Sequence, residues 1–528
     1  MRELDADVIV IGSGIGGLSF GGSIANKGYK VLVFEASHVP GGYCQSFGRK
    51  GYRFITSVHK IGGHIPKEII NRYMRTVGDE EPIDWYDFDE YLRVGPEFRV
   101  NSGSHDLEQI LIEAFPHEKA NIVRFFTDMD VFLSEFLYLQ RYKNNFSNFN
   151  PRHIRNFMKF TRITMEQMLD LYFEDPNLRA CVYALADGRP GHFALEMVVT
   201  LKFGEGPVSV PVGGVEVLLE RFLKIIEKNG GRLLMRSPVE KILVEEGRAV
   251  GVEVNGQTYY SRYVVSNADI RTTYADLIGE EHLPAPFLNK LLKKWRPSSS
   301  CFGIWLGLDS PIETFGWSGE NVNYFRSFDR LFELKADLIK NGGTLPSDTG
   351  CFIGTSASKD PLLTPAGMSQ VTIGVPIASD YENGWGVDEN GKRGKRYRET
   401  KQRVADRLLD VAEDLLPGLR DHVSVMEIGT PLTYERYSRN RGGAYLGFSV
   451  VPDFSMDKDR PESLGKLPGL FISSNWSTTG GGVINIMMEA MKGVDTLLRM
   501  DGRDDFYEFD EQQVLPKLES AMKVAVPQ

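Results

Sequence analysis

The chain has 528 residues, 42% hydrophobic and 25% charged, a globular balance that excludes wholesale disorder and a length that suggests two or three lobes. A net charge of −10 argues against a nucleic-acid partner, whose binding rests on cationic phosphate contacts. Cys44, Cys181, Cys301 and Cys351 lie far apart with no C-x-x-C pair. No apolar run approaches the ~20 residues of a membrane span, and no signal segment precedes the first strand. Together these predict a cytoplasmic protein in a reducing compartment, with at most a peripheral contact at the inner membrane face.

Asp7-Val-Ile-Val-Ile11 reads as a buried parallel strand. Gly12-Ser-Gly14-Ile-Gly16-Gly17 follows at once, and glycines 12, 14 and 17 fit G-x-G-x-x-G. The first glycine allows the tight turn. The second lets the backbone approach a pyrophosphate, and the third lets helix and strand pack closely. A helix is predicted from Ile15 to Lys27 with Gly28 as its stop, then a second strand, Lys30 to Phe34, ending in Glu35 and Ala36. Glu35 stands where an acid bonds a ribose 2′-hydroxyl, which favours FAD or NAD over NADP. Gly41-Gly42, next to Tyr43, lets the chain pass close to the pyrophosphate and ribityl segment of a flavin, so FAD is the predicted cofactor.

Gly41-Gly42-Tyr-Cys44-Gln-Ser-Phe47, then Gly51-Tyr-Arg-Phe54-Ile-Thr56-Ser-Val-His59-Lys-Ile-Gly62, resembles the retinol saturase branch of the phytoene desaturase and carotenoid isomerase flavoproteins. That branch reads G-G-C-C-H-T-F and G-x-x-F-D-T-G-I-H-Y-I-G. Here Ile55 replaces the Asp and Ser57 the Gly. The resemblance implies an α/β fold: a Rossmann-type FAD-binding domain, like those of glutathione reductase and amine oxidases, with an inserted mixed α+β substrate domain and a helical lobe. It also implies polyisoprenoid or retinoid substrates.

Further on, Pro211-Val-Gly213-Gly214 precedes an amphipathic helix carrying Val217, Leu218, Phe222, Leu223 and Ile226, with Gly230-Gly231 at its end. Strands follow around Val239, 242–244 and 250–254, then the run Tyr263 to Asp269. By the resemblance, Val239 sits beside the adenine and Asn267 beside the cofactor. Near the C-terminus, Gly469 to Ser473 reads as a strand, Asn475 to Thr479 as a loop, and Gly480-Gly481-Gly482 as the start of a helix from Val483 to about Arg499. Glycines at a helix start offer amide donors at the positive dipole end. Asn475 stands where the family has Asp, and Ser474 where it has Gly.

One FAD domain is thus expected from three pieces, 1–66, 205–270 and 460–500. Residues 67–204 are read as a helical, aromatic-rich lobe whose Phe125, Phe126, Phe132, Phe136, Leu137 and Tyr138 line a substrate tunnel or fill a core. Residues 271–459 are read as a mixed α+β domain with strands at 301–308 and 370–376 and a helix striped by Val404, Leu408, Val411 and Leu415. Residues 501–528 are read as an acidic surface arm. Arg152, Arg155, Lys159 and Arg162 at helical spacing form either a solvated charged face or a basic face resting on an anionic membrane.

Three motif matches are set aside. Ser19 in Gly17-Leu-Ser-Phe-Gly21 lies inside the nucleotide-binding helix, not on a strand-to-helix elbow. The P-loop spacing before Lys392 has Arg393 where Ser or Thr belongs. His59 and His64 lack a third metal ligand. Cys44 is read as packing beside the flavin.

One strand–glycine loop–helix unit means that no second domain recharges the flavin from NAD(P)H. The expected activity is desaturation or saturation of a carbon–carbon bond in a long apolar polyene, with flavin-dependent cis–trans isomerisation as the alternative and a non-catalytic lipid-binding flavoprotein third. Quinone, oxygen or a small carrier would exchange the electrons. By the resemblance His59 reaches the flavin's reactive face, and it is the candidate proton donor.

Overall fold

A β-branched strand with neighbours on both edges and layers on both faces has nowhere to expose a side chain, and Val8, Ile9 and Val10 have no exposed surface. They belong to β1 (Ala6–Ile11), which is central to the first sheet. The computed structural model describes residues 3–62, 64–142, 149–188, 191–192, 194–204, 206–328, 345–346, 349–477 and 481–507. On one side of β1 lie β2 (Val31–Phe34) and β9 (Arg232–Leu234). On the other lie β12 (Gln257–Ser266) and β18 (Leu470–Ile472), all parallel to it. The strand β12 plays two parts. Gln257 to Tyr260 pair antiparallel with β11 (Arg248–Val254), which carries β10 (Val239–Glu245) on its far edge. From Ser261 the same strand runs alongside β1.

Alternation along β1 and β2 sorts the core into two layers. Val8, Val10, Val31 and Val33 face the helices Ile15–Asn26, Glu216–Lys228 and Val483–Met500. Ile9, Ile11, Leu32 and Phe34 face a second layer that includes Tyr274, Phe287, Trp295 and Trp476. The helix Ile15–Asn26 ends one residue before the expected Lys27, which caps it, and Gly28 follows as the predicted stop at φ +88°.

The second sheet runs β17 (Val423–Gly429), β13 (Ser300–Leu308), β16 (Ser369–Ile377), β15 (Cys351–Gly354), β14 (Asn321–Phe325), β6 (Glu90–Val94), β7 (Phe98–Asn101). All its pairs are antiparallel except β14 with β6. The helix Lys395–Glu413 packs on it through the expected Val404, Leu408 and Val411. A hairpin of β3 (Ser46–Arg49) and β4 (Tyr52–Ile55) ties the sheets together: the Tyr52 hydroxyl donates to the Leu308 carbonyl at 2.7 Å. A smaller pair joins β5 (Trp85–Phe88) to β8 (Val208–Pro211).

Three expectations are corrected, and one open alternative is resolved. Residues 85–101 form three strands, two of them in the second sheet, which interrupt the segment read as helical between the helices His64–Thr76 and Leu107–Ala114. Phe125, Phe126, Phe132, Leu137 and Tyr138 are buried inside that lobe and none of them lines the large cleft, so these aromatics are core. The basic stretch is a 3-10 turn, Pro151–Ile154, followed by a six-residue helix, Arg155–Phe160. Its cations point outward, while Ile154 and Phe157 are consumed by the lobe's own core. The start of the C-terminal segment is docked rather than loose. Asp501 accepts from the Tyr29 and Tyr263 hydroxyls at 2.6 Å each, and the Tyr507 hydroxyl donates to the Ser23 carbonyl at 2.6 Å. Residues 508–528 lie outside the described residues. Among the described residues no helix is long and apolar enough to cross a membrane.

Candidate active site

The strands β1, β2 and β12 all end at the same edge, and the segments that follow them open into one cleft of about 580 Å³. Gly12, Gly14 and Gly16 line it, and Gly14 forms an isolated parallel bridge with Gly41. The two glycine segments therefore lie side by side with no side chain between them. Gly41 adopts φ +114°, and a Cβ there would strike the Leu219 side chain at 2.7 Å. The helix Ile15–Asn26 starts at this trench with no side-chain cap. The helix Val483–Met500 starts on the same cleft from Gly482, at φ +104°, also uncapped. Two helix N-termini, each with free amide donors, thus face one trench, a suitable surface for a pyrophosphate.

Asn267, which follows β12, knits this edge together. Its amide donates to the Ile11 carbonyl at 2.8 Å and its Nδ2 to the Ser473 carbonyl at 2.6 Å. Ser473 Oγ in turn donates to the Gly16 carbonyl at 2.8 Å. Glu35 ends β2 with both carboxylate oxygens engaged. Oε2 accepts from the Ser13 amide at 2.8 Å and the Ser13 hydroxyl at 2.6 Å, and Oε1 accepts from the Ser37 amide at 2.7 Å.

Ala36, Gly42, Tyr43, His59, Val239, Asn475 and Val483 also line the cleft. Gly17 and Gly481 do not. A Cβ on Gly17 would meet the Gly12 carbonyl and Val10, so it serves the contact of helix with strand. A Cβ on Gly481 would strike Leu446. Thr478, Thr479, Gly480 and the side chain of His64 lie outside the described residues.

The far part of the cleft is walled by the second sheet. The Trp305 indole donates to the Ile55 carbonyl at 2.7 Å. Tyr43 and Tyr434 stack at 6.1 Å, and burial pushes both phenols above their usual range. The His59 ring lies 5.4 Å from Phe352, and burial lowers its pKa to about 4, so the imidazole is neutral near pH 7. Burial pushes the Cys44 thiol up to about 12, which leaves it a packing group rather than a nucleophile. Trp305 and Phe352 come from strands far along the chain, and no motif announces them. Ser13 and Ser37, also missed, flank the glycine loop and the acid; a hydroxyl inside G-x-G was the available signal.

With its thiol silent and its imidazole neutral, the cleft offers little chemistry of its own beside a trench cut for a dinucleotide. This is the build of a Rossmann-type flavoprotein oxidoreductase. Residues 10–76 match the family described as an NAD(P)-binding Rossmann-like domain. All-trans-retinol 13,14-reductase of Rattus norvegicus is 28% identical, covering 92% of this chain and 84% of its own. Chloroplastic prolycopene isomerase 1 of an Oncidium hybrid cultivar is also 28% identical, covering 83% and 75%. Wild-type putrescine oxidase bound to putrescine shares the fold, with a TM-score of 0.61 over 94% of this chain and 99% of that one at 13% identity. Over most of its length the chain is thus similar to all-trans-retinol 13,14-reductases and prolycopene isomerases.

Proposed function

We propose that this chain is an FAD-dependent oxidoreductase that saturates or desaturates a carbon–carbon bond of a long polyene such as a retinoid or carotenoid. The carrying observation is that a single cleft runs from Glu35 and the glycine trench to the aromatic wall of Trp305 and Phe352, so one cavity serves both cofactor and apolar substrate. Saturation is the favoured direction, supported by the likeness to retinol reductases over most of the chain.

The segments 1–66, 205–270 and 460–500 would form the cofactor domain. Glu35 would hold the adenosine ribose, with Ala36 and Val239 beside the adenine. The amides of Gly14 and Gly16 would meet the pyrophosphate, and Gly41, Gly42 and Tyr43 would flank the middle of the cofactor. Asn267, Asn475, Gly482 and Val483 would close the opposite side, with Gly17 and Gly481 holding their helices in place. When bound, FAD supplies hydride exchange at its ring nitrogen N5. The protein's part is to orient the polyene across the aromatic wall and to exclude water. The neutral His59 is a poor proton donor at pH 7, so it serves as a positioning group against Phe352 and the proton enters from elsewhere. That neutrality also favours a second reading, cis–trans isomerisation, which needs no net protonation and matches the isomerase relatives. For saturation a quinol or a reduced small carrier would supply two electrons to the flavin; for desaturation a quinone, oxygen or an oxidised small carrier would take them up.

Anaerobic incubation of the purified protein with all-trans-retinol or a cis-polyene, with oxidised or reduced FAD, separates these outcomes by product mass. A gain of two hydrogens with reduced FAD is expected. An unchanged mass with altered geometry selects isomerisation, and a protein that binds no flavin rejects the reading.

A further inference from the structure

Glu90 opens β6 and lines the cleft, yet the residue is only 4% exposed. One of its oxygens is ion-paired with Lys60, which immediately follows His59 and lines the same cleft. The other oxygen, Oε2, is buried with no hydrogen-bond partner among the described residues. Along β6, Glu90, Leu92 and Val94 are the buried positions, so Glu90 shares its face of the sheet with apolar Leu92, another lining residue. Asn323, opposite Leu92 on β14, lines the cleft as well. A buried carboxylate oxygen without a donor costs free energy until something donates to it.

We infer that Lys60 and Glu90 form a head-group site that selects a polyene ending in a hydroxyl, and this rests on the proposed action on polyenes. A hydroxyl satisfies both partners at once: it donates to Glu90 Oε2 and accepts from the Lys60 ammonium. A hydrocarbon end leaves Oε2 unpaired, and a carboxylate end is repelled by Glu90. A site built to bond a hydroxyl discriminates strongly against the analogue that lacks it. The two kinds of relative differ in this respect, and the pair at the cleft wall places the chain on the alcohol side.

The test measures equilibrium binding to the flavin-loaded protein by fluorescence quenching. The probes are all-trans-retinol, the same polyene ending in a methyl group, and the corresponding acid. The alcohol should bind roughly tenfold or more tightly than either analogue. Glu90→Leu should reverse the order of alcohol and methyl analogue at unchanged flavin content. Glu90→Gln, which keeps the shape should the leucine variant fail to fold, should raise the affinity for the acid relative to the alcohol. Three probes bound within threefold of one another, or variants that keep the wild-type order, overturn the head-group site. If a polyene is nevertheless turned over, the proposed function survives that result. Failure to bind any of the three overturns both.

Discussion

Three donors converge on the Glu35 carboxylate, two from Ser13 and one from Ser37. Four acceptor positions are available on a carboxylate, so one remains for a ligand hydroxyl. Glu35→Ala should weaken FAD binding by about 1–3 kcal/mol, read by flavin titration of the apoprotein. Ser13→Ala should produce a smaller loss in the same titration, because it frees the carboxylate to turn away. His59 carries a pH signature. Its folded pKa of about 4 lies below the usual 6.5, so the unfolded chain binds the proton first. Its contribution is complete above pH 6.5 and is lost progressively as the pH falls towards 4. In thermal melts across that window, His59→Gln should show a shallower loss than the wild type. Turnover near pH 7 should fall less than tenfold, whereas a proton-donating role would cost 10²–10⁴-fold. The glycines and Glu35 were legible because the nucleotide motif fixes both residue type and spacing, and Asn267 only through the family resemblance. Glu90, Trp305 and Phe352 were not, since they come from three strands, β6, β13 and β15, that only the strand order of the second sheet brings to one cleft.

Among the elements, the strand–glycine loop–helix unit was readable almost to the residue, because the β-branched run, the glycines and Gly28 each mark a boundary. The hydrophobic stripe of the helix Lys395–Glu413 was equally plain. The short strands 85–88, 90–94 and 98–101 were hidden in a segment read as helical: they carry Trp, Asp, Glu and Arg, and only pairing with distant strands makes them sheet. The phenylalanines of the helical lobe show the limit of composition, which cannot tell a lining from a core. At Gly17 the prediction concerns the joint of two elements. Gly17→Ala would press a Cβ against the Gly12 carbonyl and within 3.1 Å of Val10, pushing the helix off β1. A stability loss of about 1–3 kcal/mol in urea unfolding is expected, with reduced flavin content in the purified protein. Unchanged values in both would remove this glycine from the joint.

Across the whole molecule, the parallel sheet draws its strands from the three separated segments expected from the sequence: β1 and β2, then β9 and β12, then β18. The docking of residues 501–507 was not expected, because an acidic stretch reads as solvated until its partners are known. Asp501 also accepts from Arg262 at 2.5 Å, so one carboxylate joins the end of the helix Val483–Met500 to β12 and to Tyr29 just before β2. Asp501→Ala should cost about 2–3 kcal/mol in urea unfolding, since two tyrosine hydroxyls lose their acceptor. An unchanged midpoint would mean that the segment merely rests on the surface.

The pairing of β12 with both β1 and β18 has a consequence for biosynthesis. The first strand leaves the ribosome early, but its neighbour at 261–266 and the closing strand at 470–472 follow much later. At elongation rates of about 5–20 residues per second, roughly 25–95 s separate the glycine loop from the helix start at Gly482 that faces it. Until residues 470–472 are made, β12 has no partner on the side where β18 pairs in the finished sheet. Flavin capture therefore belongs to the finished polypeptide, and ribosome-stalled chains ending before residue 470 should pull down without yellow colour however long they are incubated with cofactor.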